Sequence, residues 1–325
     1  MPHEQITKPN RIEKAVKSFH RRMSSFGKSP KPFMSPYYTL PTISNHETLP
    51  EASSPASSAP AFSPTHAQNL YERDTRLFSL DKLLNGNQVS KKDRQWFDKI
   101  NMAVRQLTNS PEYNTNHDYE HIQRVVNNAR RIWLAEKHRD EFSHVDRLVI
   151  FVAAMVHNIG DTEDFANGVH VHAAEADQEM QDCQRDTIEA FIRQSAPECP
   201  PYIWGPASHV ASLVSFSRER RNPLLVVQQC AAYPALQVVQ DAVRLDELGA
   251  LGVVRAAGHG GAGEARGTGT VRKVVQVADE RFSQVPDMMK THAGRHEAAR
   301  QWEIMENIMG QMLEQASCDD VLEEY

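Results

Sequence analysis

Cysteine is scarce, with four in 325 residues at Cys183, Cys199, Cys230 and Cys318 and no CxxC pair. Neither a disulfide scaffold nor a thiolate zinc site fits that scatter, and the residues read as ordinary thiols of a reducing compartment. Long apolar runs are missing too. The longest, Leu148 to Val156, has nine residues, against about 20 for a membrane span, so a transmembrane protein is excluded. No secretory signal is read, no stretch alternates every two residues, and no helical repeat of fixed length emerges. Excess positive charge is also lacking: 36 Lys+Arg stand against 42 Asp+Glu, a net charge of −6. That argues against nucleic acid as the main partner.

What is present is unevenly spread. Residues 1–47 carry a local charge of +5, which leaves −11 for the remainder. Within them Ile12, Val16, Phe19, Met23 and Phe26 recur at helical spacing among basic residues. That stripe suits a membrane-surface helix, a mitochondrial presequence, or a disordered tail with a transient helix. Glu4 and Glu13 count against the presequence. From Glu51 to Pro64, twelve of fourteen residues are Ser, Ala or Pro, a composition that cannot offset its ordering entropy. A disordered basic and Ser/Ala/Pro-rich tail is therefore expected over residues 1–68, a helical domain over 69–317, and an acidic tail over 318–325.

The domain reads as all-α. Ile122, Val125, Val126, Ala129, Ile132 and Trp133 mark one amphipathic helix. Further helical patterns span 170–194, 202–217, 234–247, 271–285 and 294–315, with breaks at Pro197–Pro201 and Pro223–Pro234. Leu148–Val156 is too uniformly apolar for its period to separate a buried strand from a core helix. Gly258–Gly269 holds six glycines in twelve residues. It lacks the Gly-Lys-Ser/Thr ending of a phosphate-binding loop and reads as a flexible connector.

Fifteen histidines are the feature to place, because neutral imidazole is the commonest metal ligand. Three places combine His with carboxylates or their replacements: His117-Asp118-Tyr119-Glu120-His121, His157-Asn158-Ile159-Gly160-Asp161, and Asp241-Ala242-Val243-Arg244-Leu245-Asp246. His117 and His121 share a helix face if the helix begins early enough. The ordered blocks HDYEHIQRV, AAMVHNIGD, VQDAVRLDELGALGVVR and MMKTHAGR resemble the HD-domain superfamily of metal-dependent phosphohydrolases. The nearest likeness is to a YedJ-like branch and its fungal members, over residues 95–315. The resemblance implies an HD-domain helical bundle preceded by the disordered tail.

It also implies a metal site. The first ligand position falls on His121 and the paired position on His157, whose partner is Asn158 where the family has Asp. The last position is Val243, again where the family has Asp. Two anionic oxygens are thus replaced by a neutral amide and by nothing, a poor set for a hard or borderline divalent ion. A metal (Mn²⁺, Fe²⁺, Mg²⁺ or Zn²⁺) is expected to be held weakly or not at all. Asp246 is the better candidate to stand in for the missing carboxylate, since Asp241 should face away from Val243. The resemblance further implies proton-handling roles for Asp161 and Glu163, and ligand contacts for His172, Arg244, Arg255 and Lys290. His170 and His172 also read as a surface pair, Arg244 and Arg255 as structural ion-pair formers. Three functions follow: a pseudoenzyme binding a small phosphorylated or metabolite ligand, an active phosphohydrolase on a nucleotide or small phosphate ester, or a metal-independent enzyme of specialised metabolism. A cytoplasmic location is expected, with a mitochondrial one the alternative.

Overall fold

The computed structural model describes residues 75–86, 89–110, 118–136, 142–161, 174–262, 270–318 and 321–322. The tail over 1–68, His117, Glu163, His170, His172 and the connector 263–269 lie outside them. Among the described residues the domain is all-α. Its helices are α1 (Leu80–Leu83), α2 (Lys91–Thr108), α3 (Tyr119–Ala135), α4 (His144–Val156), α5 (Ala174–Ser195) and α6 (Pro201–Ser212). They continue as α7 (Phe216–Arg221), α8 (Pro223–Ala232), α9 (Pro234–Leu245), α10 (Gly249–Ala262), α11 (Val271–Phe282), α12 (Val285–Met288) and α13 (His292–Gln315). No helix among the described residues is long and apolar enough to cross a membrane.

The ambiguous run Leu148–Val156 is helical, and α4 is the core of the domain. Every residue in the run is buried, because α3, α6 and α9 all pack on this helix. A helix covered on all sides has no polar face, which is why its period was uninformative. Its start is set locally. Ser143 accepts from Asp146 N at 3.1 Å, and Asp146 accepts in return from Ser143 N at 2.9 Å, a reciprocal capping box.

Three sequence expectations are corrected. Pro223–Pro234 is not a break but α8, opened by Pro223 in its first turn and by Asn222, whose side chain accepts from Leu225 N at 3.2 Å. Proline is harmless there because that N–H has no helical partner anyway. The pattern at 202–217 divides in two, with α7 restarting at Phe216 behind the Ser215 cap. The Gly-rich segment is also not wholly a connector, since α10 runs on to Ala262.

Asp241 fixes how α9 meets α13. It is fully buried, and its carboxylate accepts from Lys290 N, from Thr291 N at 2.8 Å and from the Thr291 hydroxyl at 2.7 Å. Thr291 is itself the N-cap of α13, so one carboxylate serves several donors at a helix start, where negative charge is favoured. Close approach demands Gly294: a Cβ there would lie 2.4 Å from Asp241 Oδ2. One turn further along α13, Glu297 accepts from Arg300 and Gln301 and lies near Arg131. The Arg300 hydrogen bond, against the opposing effect of burial, pushes its carboxyl down to about 2.

Asp241→Ala should cost about 2–4 kcal/mol in urea unfolding, the range for breaking a buried polar network. Gly294→Ala should cost about 1–3 kcal/mol as overpacking. In an Asp241→Ala background that second penalty should shrink but not vanish, because the Thr291 hydroxyl oxygen, 2.6 Å from the same Cβ, remains. Glu297 has a folded pKa below its unfolded value of 4.5. Its contribution is therefore complete above that value and is lost as pH falls towards about 2. Glu297→Gln should flatten that part of the acid limb in pH-dependent denaturation curves.

Candidate metal centre

The two imidazoles meet where the start of α3 approaches the end of α4. Asp118 caps α3 by accepting from His121 N at 2.9 Å, which places His121 in the first turn. The helix thus begins at Tyr119, and His117 precedes it. His157 follows directly on Val156 as the last residue of α4 turns out of the helix. Both side chains are buried. Their rings lie 5.2 Å apart between centroids, tilted by 58°, and their Nε2 atoms are 3.2 Å apart.

What binds the other nitrogens decides the chemistry. His157 Nδ1 lies 2.9 Å from the Ala154 carbonyl oxygen, and His121 Nδ1 lies 2.7 Å from Asp246 Oδ2. Carbonyl and ionised carboxylate oxygens only accept, so each Nδ1 carries the proton and donates it. A neutral imidazole protonated at Nδ1 presents a lone pair at Nε2. Two such lone pairs face one another at 3.2 Å, an arrangement that calls for a shared cation, either a proton or a metal ion. Two imidazole nitrogens on one zinc-like ion, each bonded at ~2.05 Å, would be about 3–3.4 Å apart. The pair fits such an ion at two points.

The carboxylate that a metal would need is engaged elsewhere. Asp246 is 2 % exposed and accepts from Arg124 Nε at 2.6 Å, from Arg124 Nη2 at 3.2 Å and from Arg255 Nη1 at 2.7 Å, besides His121. Arg255 Nη1 also lies 3.0 Å from His121 Nδ1; both nitrogens turn their protons to the same oxygen. Burial works to raise the Asp246 pKa, but the hydrogen bonds and charges of His121 and Arg124 outweigh it and hold the carboxyl below its usual range. Asp246 therefore sits on the far side of His121 from His157. It orients the ring as a carboxylate behind a metal-binding histidine does, and does not stand in as a ligand. Among the described residues no group of three or more His, Cys, Asp or Glu side chains is arranged to hold a metal.

The remaining expected residues separate into two places. Asn158 and Asp161 lie just beyond His157, both half-buried, and Asp161 N donates to the Asn158 carbonyl at 3.4 Å. Arg255 belongs to the Asp246 cluster. Arg244 and Lys290 do not approach the imidazoles through any of these bonds; both are ion-paired to Glu219 on α7. Glu163 and His172 fall outside the described residues. Sequence reasoning missed Glu219, which sits inside the basic run FSRERR with nothing to distinguish it from a solvated acid. It also missed Gln184, which donates to the His157 carbonyl at 3.0 Å and accepts from Arg218 at 3.1 Å. Arg124 was within reach of inference, being one turn after His121 on the same helix face.

No family model matches the chain, and no curated protein matches it. Among solved structures, the chain is similar to Bacillus subtilis YpgQ in complex with ADP, with 19 % identity over 70 % of this chain and 98 % of that one at a TM-score of 0.43. It is similar also to an HD-superfamily hydrolase of Bacillus thuringiensis, with 20 % identity over 70 % of this chain and 100 % of that one at a TM-score of 0.42. A third is a protein of Listeria innocua, with 20 % identity over 72 % of this chain and 100 % of that one at a TM-score of 0.45.

Asp246→Asn should destabilise the domain by about 3–5 kcal/mol, because it leaves two guanidiniums without their buried counter-charge. Equilibrium urea unfolding reads the loss. A near-neutral result would mean that Arg124 and Arg255 find solvent instead.

Proposed function

We propose that the chain is an HD-like helical protein whose metal centre is reduced to a pair of imidazoles, and that it binds a small phosphorylated or metabolite ligand without metal-dependent hydrolysis. The observation that carries this reading is the position of Asp246. The carboxylate beside the pair lies on the Nδ1 side of His121, saturated by Arg124 and Arg255. His121 and His157 would hold an ion at two points, with the Asn158 amide adjacent in the chain, and Val243 contributes no donor. Such a set does not meet the charge of a hard divalent cation. Generating a strong nucleophile from metal-bound water needs a firmly held ion, so no hydrolytic step is assigned to it. Arg124 and Arg255 support the ligand half of the proposal: they bring two guanidiniums beside the imidazoles, the residue type best suited to phosphate.

Elemental analysis of the purified full-length chain, with calorimetric titration of Mn²⁺, Fe²⁺ and Zn²⁺, tests the proposal. Expected are substoichiometric metal, weak binding, and no turnover of phosphate esters or nucleotides. Asn158→Asp combined with Val243→Asp should raise metal affinity by tenfold or more, about 1.4 kcal/mol. Stoichiometric metal in the isolated protein, together with activity that disappears in His157→Ala, would make it a working phosphohydrolase and sink the proposal.

A further inference from the structure

The α8 helix is apolar on its outer side as well as its inner one. No residue from Asn222 to Gln240 carries a charge, although α8 lies at the surface. Val226 and Cys230 are buried on its inner side, where α7 and α9 pack on it and Gln229 Oε1 lies 3.0 Å from His209 Nε2 of α6. The outer side presents Pro223, Leu224, Val227, Gln228, Ala231 and Ala232, all exposed. Leu224 is 75 % exposed and Val227 66 %. With Ala231 they follow one another at three and four residues, which makes a single stripe. On α13, by contrast, the exposed positions include Glu303, Glu306 and Glu314, as on a solvated helix. A helix apolar all round is ordinarily covered.

The possible covers differ in what they require. A bilayer surface holds a helix with Lys or Arg on its polar side and aromatic anchors on the other, and α8 has neither. An acidic peptide needs cations along its path, whereas here they stand only at one end, at Arg220 and Arg221. A second copy of the same face needs complementary shape and no repulsion. Across a two-fold axis the face meets itself, and an uncharged helix does so with no like charges opposed. Antiparallel pairing centred between Val227 and Gln228 sets Leu224, the largest residue of the stripe, over the partner's Ala231, the smallest. Large then meets small in both halves of the contact. The Gln228 amides, each with donors and an acceptor, fall near the axis. Arg220 and Arg221, exposed just before α8, come to the carbonyl end of the partner's helix, where cations are favoured.

We propose that the exposed face of α8 is the interface of a reversible homodimer, paired antiparallel with the same face of a second copy across a two-fold axis. Ten residues make the helix, which is therefore about 15 Å long. A face of that length falls short of the roughly 800 Å² per partner of a stable complex, so dimer exchanges with monomer as concentration changes. The contact is independent of what the imidazole pair holds.

Sedimentation velocity of the full-length chain over a concentration series tests this. A monomer–dimer equilibrium is expected, and Leu224→Glu combined with Val227→Glu should weaken it at least tenfold. Both side chains are exposed, so the pair should leave the far-ultraviolet circular dichroism and Tm as in the wild type. Val227→Cys, in a Cys318→Ser background because Cys318 is exposed, should give a disulfide-linked dimer on mild oxidation with diamide. Val254→Cys in the same background, at a position 68 % exposed on α10, should not. That comparison decides the matter if the glutamate pair does not fold. A chain that is monomeric throughout the series overturns the proposal. So does a dimer that survives the glutamate pair, or cross-linking that is equal at the two cysteines. Binding to phosphatidylserine vesicles by a chain that stays monomeric, lost in the glutamate pair, would assign the face to a bilayer and overturn it too.

Discussion

The Asp246 carboxylate is the contact on which the rest of the site depends. It lies just past α9 and gathers His121 and Arg124 from α3 and Arg255 from α10. A charge buried this deeply is tolerable only when it is paired and hydrogen-bonded on most of its lone pairs. Here four donor atoms reach two oxygens. The result ties three helices at one point and fixes the His121 ring, whose Nε2 can then point in only one direction, towards His157.

His157 is held from the other side through backbone carbonyl groups. Its Nδ1 donates to the carbonyl of Ala154, three residues back on α4, and its own carbonyl accepts from Gln184 on α5. The two rings are thus held by unlike means, one by a side-chain charge network and the other by a helix end inside the apolar core. The hydrogen bonds that orient the two rings through their Nδ1 atoms run to Asp246 and to the Ala154 carbonyl.

Much of this was legible in the sequence. The apolar stripe of α3 and the Trp/Met stripe of α13 predict helices where helices are found, whereas the run of α4 left buried strand and core helix open. The α3 stripe follows His121 and the α4 run ends at His157 in the sequence. The errors have physical causes. Prolines at 223 and 234 read as interruptions because residue type does not reveal whether a proline stands in the first turn of a helix or between helices. Spacing puts Asp246 nearer than Asp241 to the face of Val243, but it could not show which side of the imidazole the carboxylate would reach. Glu219 was invisible, since a buried acid in a basic run looks like any surface ion pair until tertiary contacts show what surrounds it.

Under the proposed reading, in which Val243 and Asn158 stand where a metal site would place carboxylates, both residues make sense once the role of Asp246 is separated from that of a ligand. A carboxylate at a metal-binding position is stabilised by the ion. Without one, it becomes a second negative charge near a buried carboxylate that already has its partners, and the repulsion and desolvation would fall on the fold. Valine and asparagine avoid that cost. Asp246 has no such freedom, because two guanidiniums and an imidazole rely on it whether or not an ion is present. On that reading, positions whose charge would serve only a metal can be neutral, whereas Asp246, whose charge also serves the helices, remains.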